Sequence, residues 1–243
     1  MSLSVRLEEI AACMRQSKAI ADIGTDHAYL PIELIQRGIC KRALACDVRS
    51  GPLQRAKQHI QAADLQGRIE TRLSNGFAQI EPGEVDAAII AGMGGLLICE
   101  ILKAENARPK NILKEMQQLI LQPQSDWDAV RYTLHSLSFQ IETERLVLDR
   151  DKYYWIFVCS QGCQRFEKRW QYRYGQALAH KPTVIFKDYL QQEEEKMRKI
   201  LARLLQEAEA GSDSAGRRQQ ELRMRMQEIQ EAREYEKQSE GSC

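Results

Sequence analysis

Strand-length apolar runs and helical patterns alternate along the first 140 residues, and each run breaks off at a glycine, an acid or an amide. "KAIADIG" reads as a buried strand and is followed by "PIELIQRG", where Pro31 suits a first helical turn and Gly38 a helix end. "KRALACDV" is a second strand, followed by the helix "GPLQRAKQHIQAADLQG", opened by Pro52 and expected to close at Gly67. "RIETRLSNG" and "VDAAIIAGMGG" read as further strands, "LLICEILKA" as a helix and "LILQPQ" as a short strand. "DWDAVRYTLHSLS" is helical with Asp126 expected as its cap, and Val5, Leu7, Ile10, Ala11 and Met14 predict a helix ahead of the first strand. Buried strands separated by helices specify an α/β fold, a mostly parallel sheet covered on both faces. "FQIETERLVLDRD" and "KYYWIFVCSQ" follow one another with no helix between, which predicts an antiparallel final strand.

Charge and cysteine usage narrow the class. A formal net charge of +1 on 243 residues supplies no basic field over the whole chain, so a nucleic-acid site has to be a local patch. Seven scattered cysteines without a CxxC pair read as reduced thiols, which points to a cytoplasmic protein and to no metal site. "MSLSVRLEEIAACMRQ" is amphipathic and charged rather than a secretory signal, and no apolar run approaches the ~18 residues of a membrane span.

The texture changes after Gly162. Residues 1–162 are expected to form one domain and 163–243 a second, helical one. In "YLQQEEEKMRKILARLLQEAEA" the residues Leu190, Met197, Leu201, Leu204 and Leu205 share a face; after the turn cluster "GSDSAG", Leu222, Met226 and Ile229 resume helical spacing. This predicts an antiparallel helical hairpin of coiled-coil type. Just before it, Arg165, Lys168, Arg169 and Arg173 interleave with Phe166, Trp170, Tyr172 and Tyr174 against a single acid, Glu167. Together with Arg217 and Arg218 on the hairpin these cations are the candidate RNA contacts; a solvated helix face is the competing reading.

In open parallel sheets a ligand sits beyond the carboxyl ends of the strands, where strand order reverses. Four loops leave such ends here. "ADIGTDHAYLP" offers Gly24, which lets a ligand approach the backbone, beside Asp22 and Asp26, acids that suit a cationic ligand with an amino-acid end. "ACDVR" ends in Asp47, able to accept from a ribose diol or to act as a turn residue, with Val48 behind it. "LSNGF" carries Asn75 and Gly76, an amide for an adenine edge or a plain turn signal. "AGMGG" lets Ala91, Gly92 and Met93 close over something flat or reacting. The GxGxxG fingerprint is absent, which argues against a nicotinamide-dependent oxidoreductase.

In this order and spacing "ADIGTDHAYLP", "GPLQRAK", "IIAGMGG" and "LILQPQ" resemble the bacterial tRNA adenine N1-methyltransferase family that modifies adenine-22. That family belongs to the class I methyltransferases, whose cofactor is S-adenosyl-L-methionine, and has a C-terminal coiled-coil domain. The resemblance implies a Rossmann-like fold and a tRNA substrate. Asp22, Gly24, Asp26 and His27 would line the methionine part of the cofactor and Asp47 would take the ribose. Asn75 would face the adenine where members often have Asp, and Ala91, Gly92 and Met93 would line the reaction centre. The sulfonium donor needs no metal, and catalysis should rest on aligning adenine N1 with the methyl group and excluding water. Asp26 and His27 are candidates to remove a proton from the product, and Tyr29 to stack on the base. Two other readings use the same site: a methyltransferase of another substrate, and a non-catalytic cofactor- and RNA-binding module dimerising through its hairpin. A monomer is the expected state.

Overall fold

The computed structural model describes residues 3–209 and 215–240. The chain divides into two compact units, the first ending at Arg165 and the second beginning at Phe166.

In the first unit, helix α1 (Val5–Cys13) precedes strand β1 (Ser17–Ile23), and α2 (Tyr29–Gln36), β2 (Cys40–Asp47), α3 (Ser50–Ala62) and β3 (Ile69–Leu73) follow. Then come β4 (Ala87–Met93), α4 (Gly95–Asn106), a short 3-10 turn (Ile112–Glu115), β5 (Gln118–Pro123), α5 (Trp127–Ser136), β6 (Phe139–Asp149) and β7 (Lys152–Gln161). The seven strands form one sheet in the order β3-β2-β1-β4-β5-β7-β6. β1 pairs in parallel with both β2 and β4, so strand order reverses between β1 and β4. Only β7 runs against its neighbours, inserted between β5 and β6.

Local chemistry accounts for this topology. Every residue of β5 is buried, as a central strand with both faces covered requires. Ile10 of α1, Leu34 of α2 and Ile60 of α3 join Ile20, Ile89, Ile120 and Ile156 in one core on one face of the sheet. Side chains alternate across a strand, so Trp155 and Phe157 turn to the opposite face. There the guanidinium of Arg131, on α5, lies 4.8 Å and 4.6 Å from their ring centres and donates to Glu144 of β6 at 2.6 Å, both partners being fully buried. β6 and β7 are joined by Arg150 and Asp151, both at positive φ (50° and 62°), the two-residue turn whose twist matches a β-hairpin.

Two boundaries differ from expectation. α3 ends at Ala62, not Gly67: Asp64 takes the left-handed conformation (φ 55°) and turns the chain before the glycine is reached. Asp126 occupies the N-cap position of α5 but makes no capping bond; at φ 53° its carboxylate instead accepts from Ser125 Oγ at 2.6 Å.

In the second unit, two short helices, α6 (Arg169–Tyr174) and α7 (Gln176–His180), precede two long ones, α8 (Val184–Glu209) and α9 (Ala215–Glu240). Arg233 donates to Glu194, and Gln219 to the Leu204 carbonyl at 3.3 Å, so α8 and α9 run antiparallel. Leu190, Met197, Leu222 and Ile229 are buried, whereas Leu205 is exposed. Residues 211–214 of the expected turn lie outside the described residues, as does Cys243, and Ala215 and Gly216 already belong to α9. α6 packs on α9 through Trp170 against Tyr235 (ring centres 5.1 Å apart) and α7 through Gln176, which donates to the Tyr235 hydroxyl at 2.8 Å. Among the described residues no helix is long and apolar enough to cross a membrane.

Candidate active site

A cleft of about 620 Å³ opens at the carboxyl ends of β1, β2 and β4, at the point where strand order reverses. Asp22, Gly24, Asp26, His27, Tyr29, Asp47, Val48, Ala91, Gly92 and Met93 all line it. Three of the four loops singled out in the sequence therefore converge on one site.

Two carboxylates form the polar floor. Asp22, the penultimate residue of β1, is buried with only 7% of its surface exposed. Burial is the main cause that pushes its pKa up to about 6; a hydrogen bond with Thr25 and the charge of Arg6 oppose the rise, and Asp47 adds to it. Asp47, equally buried at the end of β2, accepts from the Arg49 backbone N–H at 2.7 Å. That bond occupies one oxygen in a turn and leaves acceptor capacity on the other.

The backbone past β1 is held open. Gly24 and Thr25 both donate to the Cys46 carbonyl, at 2.8 Å and 2.9 Å, which splays the loop away from the strand. Gly24 sits at φ 79°, and a β-carbon there would lie 2.0 Å from Met93 Cε. The hydrogen at Gly24 thus makes room for the Met93 methyl group, which packs against this backbone. Thr25 is buried and accepts from the Ala28 N–H at 3.2 Å, which turns the chain into α2.

That turn sets out the polar and aromatic wall. Asp26 is exposed and paired on both sides, to Arg55 of α3 at 2.5 Å and to His27 Nε2 at 3.0 Å. The Arg55 hydrogen bond, aided by His27, holds its carboxyl below the usual range. Asp26 is consequently a weak base, better suited to orienting its neighbours than to accepting a proton. Because Asp26 accepts from Nε2, the other ring nitrogen of His27 is the bare acceptor in the neutral tautomer. That atom, Nδ1, is buried and has no hydrogen-bond partner. The rings of His27, Tyr29 and His59 form a near-parallel triangle with centres 5.0, 5.1 and 5.3 Å apart. His59 Nδ1 anchors it at 3.0 Å from the His27 carbonyl.

The opposite wall is a glycine bulge. The pairing of β4 with β5 slips between Ala91 and Met93, and Gly92 takes φ 79°. Gln122 of β5 braces it: its Oε1 accepts from the Gly92 N–H at 3.1 Å and from Arg6 Nη1 at 2.6 Å. The Arg6 guanidinium also lies 5.5 Å from the centre of the Tyr154 ring. Arg6 reaches the cleft from α1, and Gln124 reaches it from the residue directly after β5.

Some expected residues lie elsewhere. Asn75 borders an adjoining hollow of about 400 Å³ that shares only Leu97 with the cleft. Gly76 is buried, and a β-carbon there would lie 2.8 Å from Ile101 of α4. The reason is local: Ser74 Oγ donates to the Gly76 carbonyl at 2.8 Å and accepts from Gln79 N–H, curling the chain after β3 towards α4. Among the RNA candidates, Arg165 and Arg217 are exposed, whereas Arg169 and Arg173 both pair with Glu228, at 3.3 Å and 2.7 Å, and Arg218 with Glu221 at 2.7 Å. Lys168 is exposed at the N-terminus of α6. Phe166, Trp170, Tyr172 and Tyr174 are buried, so the interleaved aromatics are core of the second unit.

Arg6, Gln124, Arg49, Arg55, His59 and Leu97 belong to the site without having been singled out in the sequence. "LILQPQ" and "GPLQRAK" contain or flank several of them, which was the available signal. Arg6 looked like one more polar position on an amphipathic helix.

A family model for tRNA (adenine(22)-N(1))-methyltransferase, TrmK, matches residues 20–231. The tRNA (adenine(22)-N(1))-methyltransferase of Bacillus subtilis is 34% identical over 162 residues, 67% of this chain and 66% of that protein, a little under two thirds of its length. A Streptococcus pneumoniae structure, described as a candidate tRNA (m1A22) methyltransferase in complex with S-adenosyl-L-methionine, has a TM-score of 0.84 at 34% identity, over 96% of this chain and 100% of that one. Mycoplasma capricolum TrmK, with S-adenosyl-homocysteine, has a TM-score of 0.81 at 29% identity, over 97% and 99% of the two chains. The seven-stranded sheet with one reversed strand, the cleft at its switch point and a family match across both units lead to one assignment: this chain belongs to the tRNA (adenine(22)-N(1))-methyltransferase family.

Proposed function

We propose that this protein transfers the methyl group of S-adenosylmethionine to N1 of an adenine in tRNA, at position 22. The observation that carries the reading is the meeting of Asp22, Gly24, Asp47 and the Gly92 bulge in one cleft, in a chain of this family. The cofactor supplies a methyl group already activated by a sulfonium. The residues present fit it. Asp22, ionised above about pH 6, offers a buried carboxylate to an α-ammonium group. Asp47 offers oxygens to a ribose diol, and the exposed side chains of Val48 and Leu97 offer apolar walls to a flat ring. Gly24, at φ 79°, lets the chain turn between β1 and α2 with the Met93 methyl packed against it, both residues lining the cleft.

The chain's own contribution is alignment and proton handling. The bulge at Gly92, held by Gln122 and Arg6, fixes the wall against which the acceptor base is placed. The base must be unstacked to present its Watson–Crick edge, and Tyr29 offers a ring for it to lie on. His27 lines the cleft and is the group that takes up a proton released from the methylated base; Nδ1 is buried where it stands, so the ring has to turn to bring a nitrogen to the base, and Asp26 orients it through Nε2. Exposed cations Arg165, Lys168 and Arg217 meet phosphates, with Arg169, Arg173 and Arg218 contributing less because acids already share their charge. The protein acts in the cytoplasm, as a monomer.

Incubation of the full chain with labelled S-adenosylmethionine and unmodified tRNA, followed by nucleoside mass analysis, tests this. N1-methyladenosine at position 22 is the expected product. Cofactor binding without methyl transfer would instead favour a non-catalytic module.

A further inference from the structure

Tyr29 and His59 have a second side. Behind them lies another hollow of about 250 Å³, bordered by both rings together with Ile32, Glu33, Gln36 and Ala63. Tyr29 lines the hollow and the cleft alike, so one ring partitions the two. The hollow's chemistry is mixed in a particular way. Two aromatic rings and four aliphatic side chains supply flat and apolar surface, and an amide and a carboxylate at the rim supply hydrogen-bonding groups. The Glu33 charge is offset by Arg37 at 2.7 Å, so the rim does not repel a phosphate-bearing ligand strongly. Tyr29, Ile32 and His59 are only half-buried, with surface left to cover.

We infer that this hollow is a second nucleobase subsite, which takes a base flanking the methylated adenine. The inference rests on the proposed methylation of tRNA. Flat apolar faces with a polar edge describe a nucleobase, and single-stranded RNA bases are held by stacking on aromatic side chains with hydrogen bonds to their edges. Continuity with the cleft selects the occupant: a ligand separated from the target base by one ring's thickness is its neighbour along the strand. The arrangement also assists unstacking. A base drawn from its neighbour loses a stacking partner, and with Tyr29 between the two sites each base regains a ring. The triangle with His27 then ties the grip on the flanking base to the histidine beside the target.

The test uses the full chain and two perturbations of one contact. Ala63→Trp fills the hollow from the protein side without touching His27. A tRNA carrying an abasic nucleotide immediately before or after the target empties it from the RNA side. Base–aromatic stacking is worth about 1–3 kcal/mol, so the KM for tRNA should rise roughly 5- to 150-fold with Ala63→Trp while the Kd for S-adenosylmethionine stays at the wild-type value. One of the two abasic tRNAs should show a similar rise with the wild-type enzyme and little further rise with Ala63→Trp, because both changes remove the same contact. Unchanged KM with both abasic tRNAs, or losses that multiply when the two changes are combined, overturns the subsite. Should Ala63→Trp fail to bind cofactor and so prove misfolded, Ala63→Leu replaces it and the abasic series on the wild-type enzyme decides. Absence of N1-methyladenosine with wild-type enzyme and intact tRNA would count against the methylation reading itself, a distinct result.

Discussion

At the scale of single residues, the site trades stability for binding. Asp22 would titrate near 3.8 in an unfolded chain and near about 6 in the fold, a difference of about 3 kcal/mol. Between those values the folded state holds the extra proton, so stability falls as pH rises through that window and stays lower above it. Asp22→Asn should therefore raise the melting temperature of the cofactor-free protein near pH 7.5 and weaken S-adenosylmethionine binding at least tenfold, measured by thermal unfolding and by calorimetry. The wild-type Kd should itself rise as pH drops below about 6. A variant that loses stability and keeps affinity would contradict the assignment of Asp22 to the ammonium group. His27 and Asp26 divide differently. Asp26 is held ionised by Arg55, so its part is orientation, whereas the His27 ring lines the cleft and is the proposed proton acceptor. His27→Ala should lower kcat by about 100-fold with cofactor affinity intact, and Asp26→Asn should cost markedly less. Equal losses in single-turnover assays would put the base elsewhere.

At the scale of elements, the fold makes the site by ending strands at one edge and bracing the gaps from behind. The Arg131–Glu144 pair belongs to that bracing, since it ties α5 to β6 beneath Trp155 and Phe157. Removal of one partner of a buried pair leaves a charge without compensation, so Glu144→Ala should destabilise by about 3–5 kcal/mol in denaturant unfolding. The double change Arg131→Met with Glu144→Leu should cost less than Glu144→Ala alone. The mostly parallel sheet with its antiparallel final strand and the location of the cleft were legible in the sequence, because buried apolar runs separated by helices end at Gly24, Asp47 and Ala91; the order of the strands was not. Arg6 was not, because its bond to Gln122 spans 116 positions and no local pattern announces it. Asn75 is placed by the turn its neighbours spell, which carries it towards α4 and into a hollow adjoining the cleft at Leu97. The burial of the aromatics of residues 166–174 was not legible either, because alternation with basic residues shows composition but not direction, and the rings point inward.

At the scale of the whole molecule, nearly balanced charge leaves the proposed RNA binding to local patches. The net charge of +1 hides how the cations of the second unit are used. Arg173 is only 16% exposed at the side chain and lies 2.7 Å from a largely buried Glu228, so it serves α6–α9 packing before it serves a phosphate. Arg165 and Arg217 are exposed and make no ion pair among the described residues. Neutralising a phosphate contact weakens binding and flattens its salt dependence, whereas disrupting a packed pair lowers stability. Arg217→Gln should accordingly weaken tRNA binding, reduce the slope of log K against log salt by about one, and leave both the melting temperature and cofactor affinity unchanged. Arg173→Glu should lower the melting temperature, because it places two carboxylates face to face at Glu228, and any loss of tRNA binding should accompany that unfolding. Filter-binding titrations from low to moderate salt, run beside thermal melts, separate the two. If Arg173→Glu weakened tRNA binding at full stability while Arg217→Gln did nothing, the RNA path would run along the α6 face instead of the hairpin.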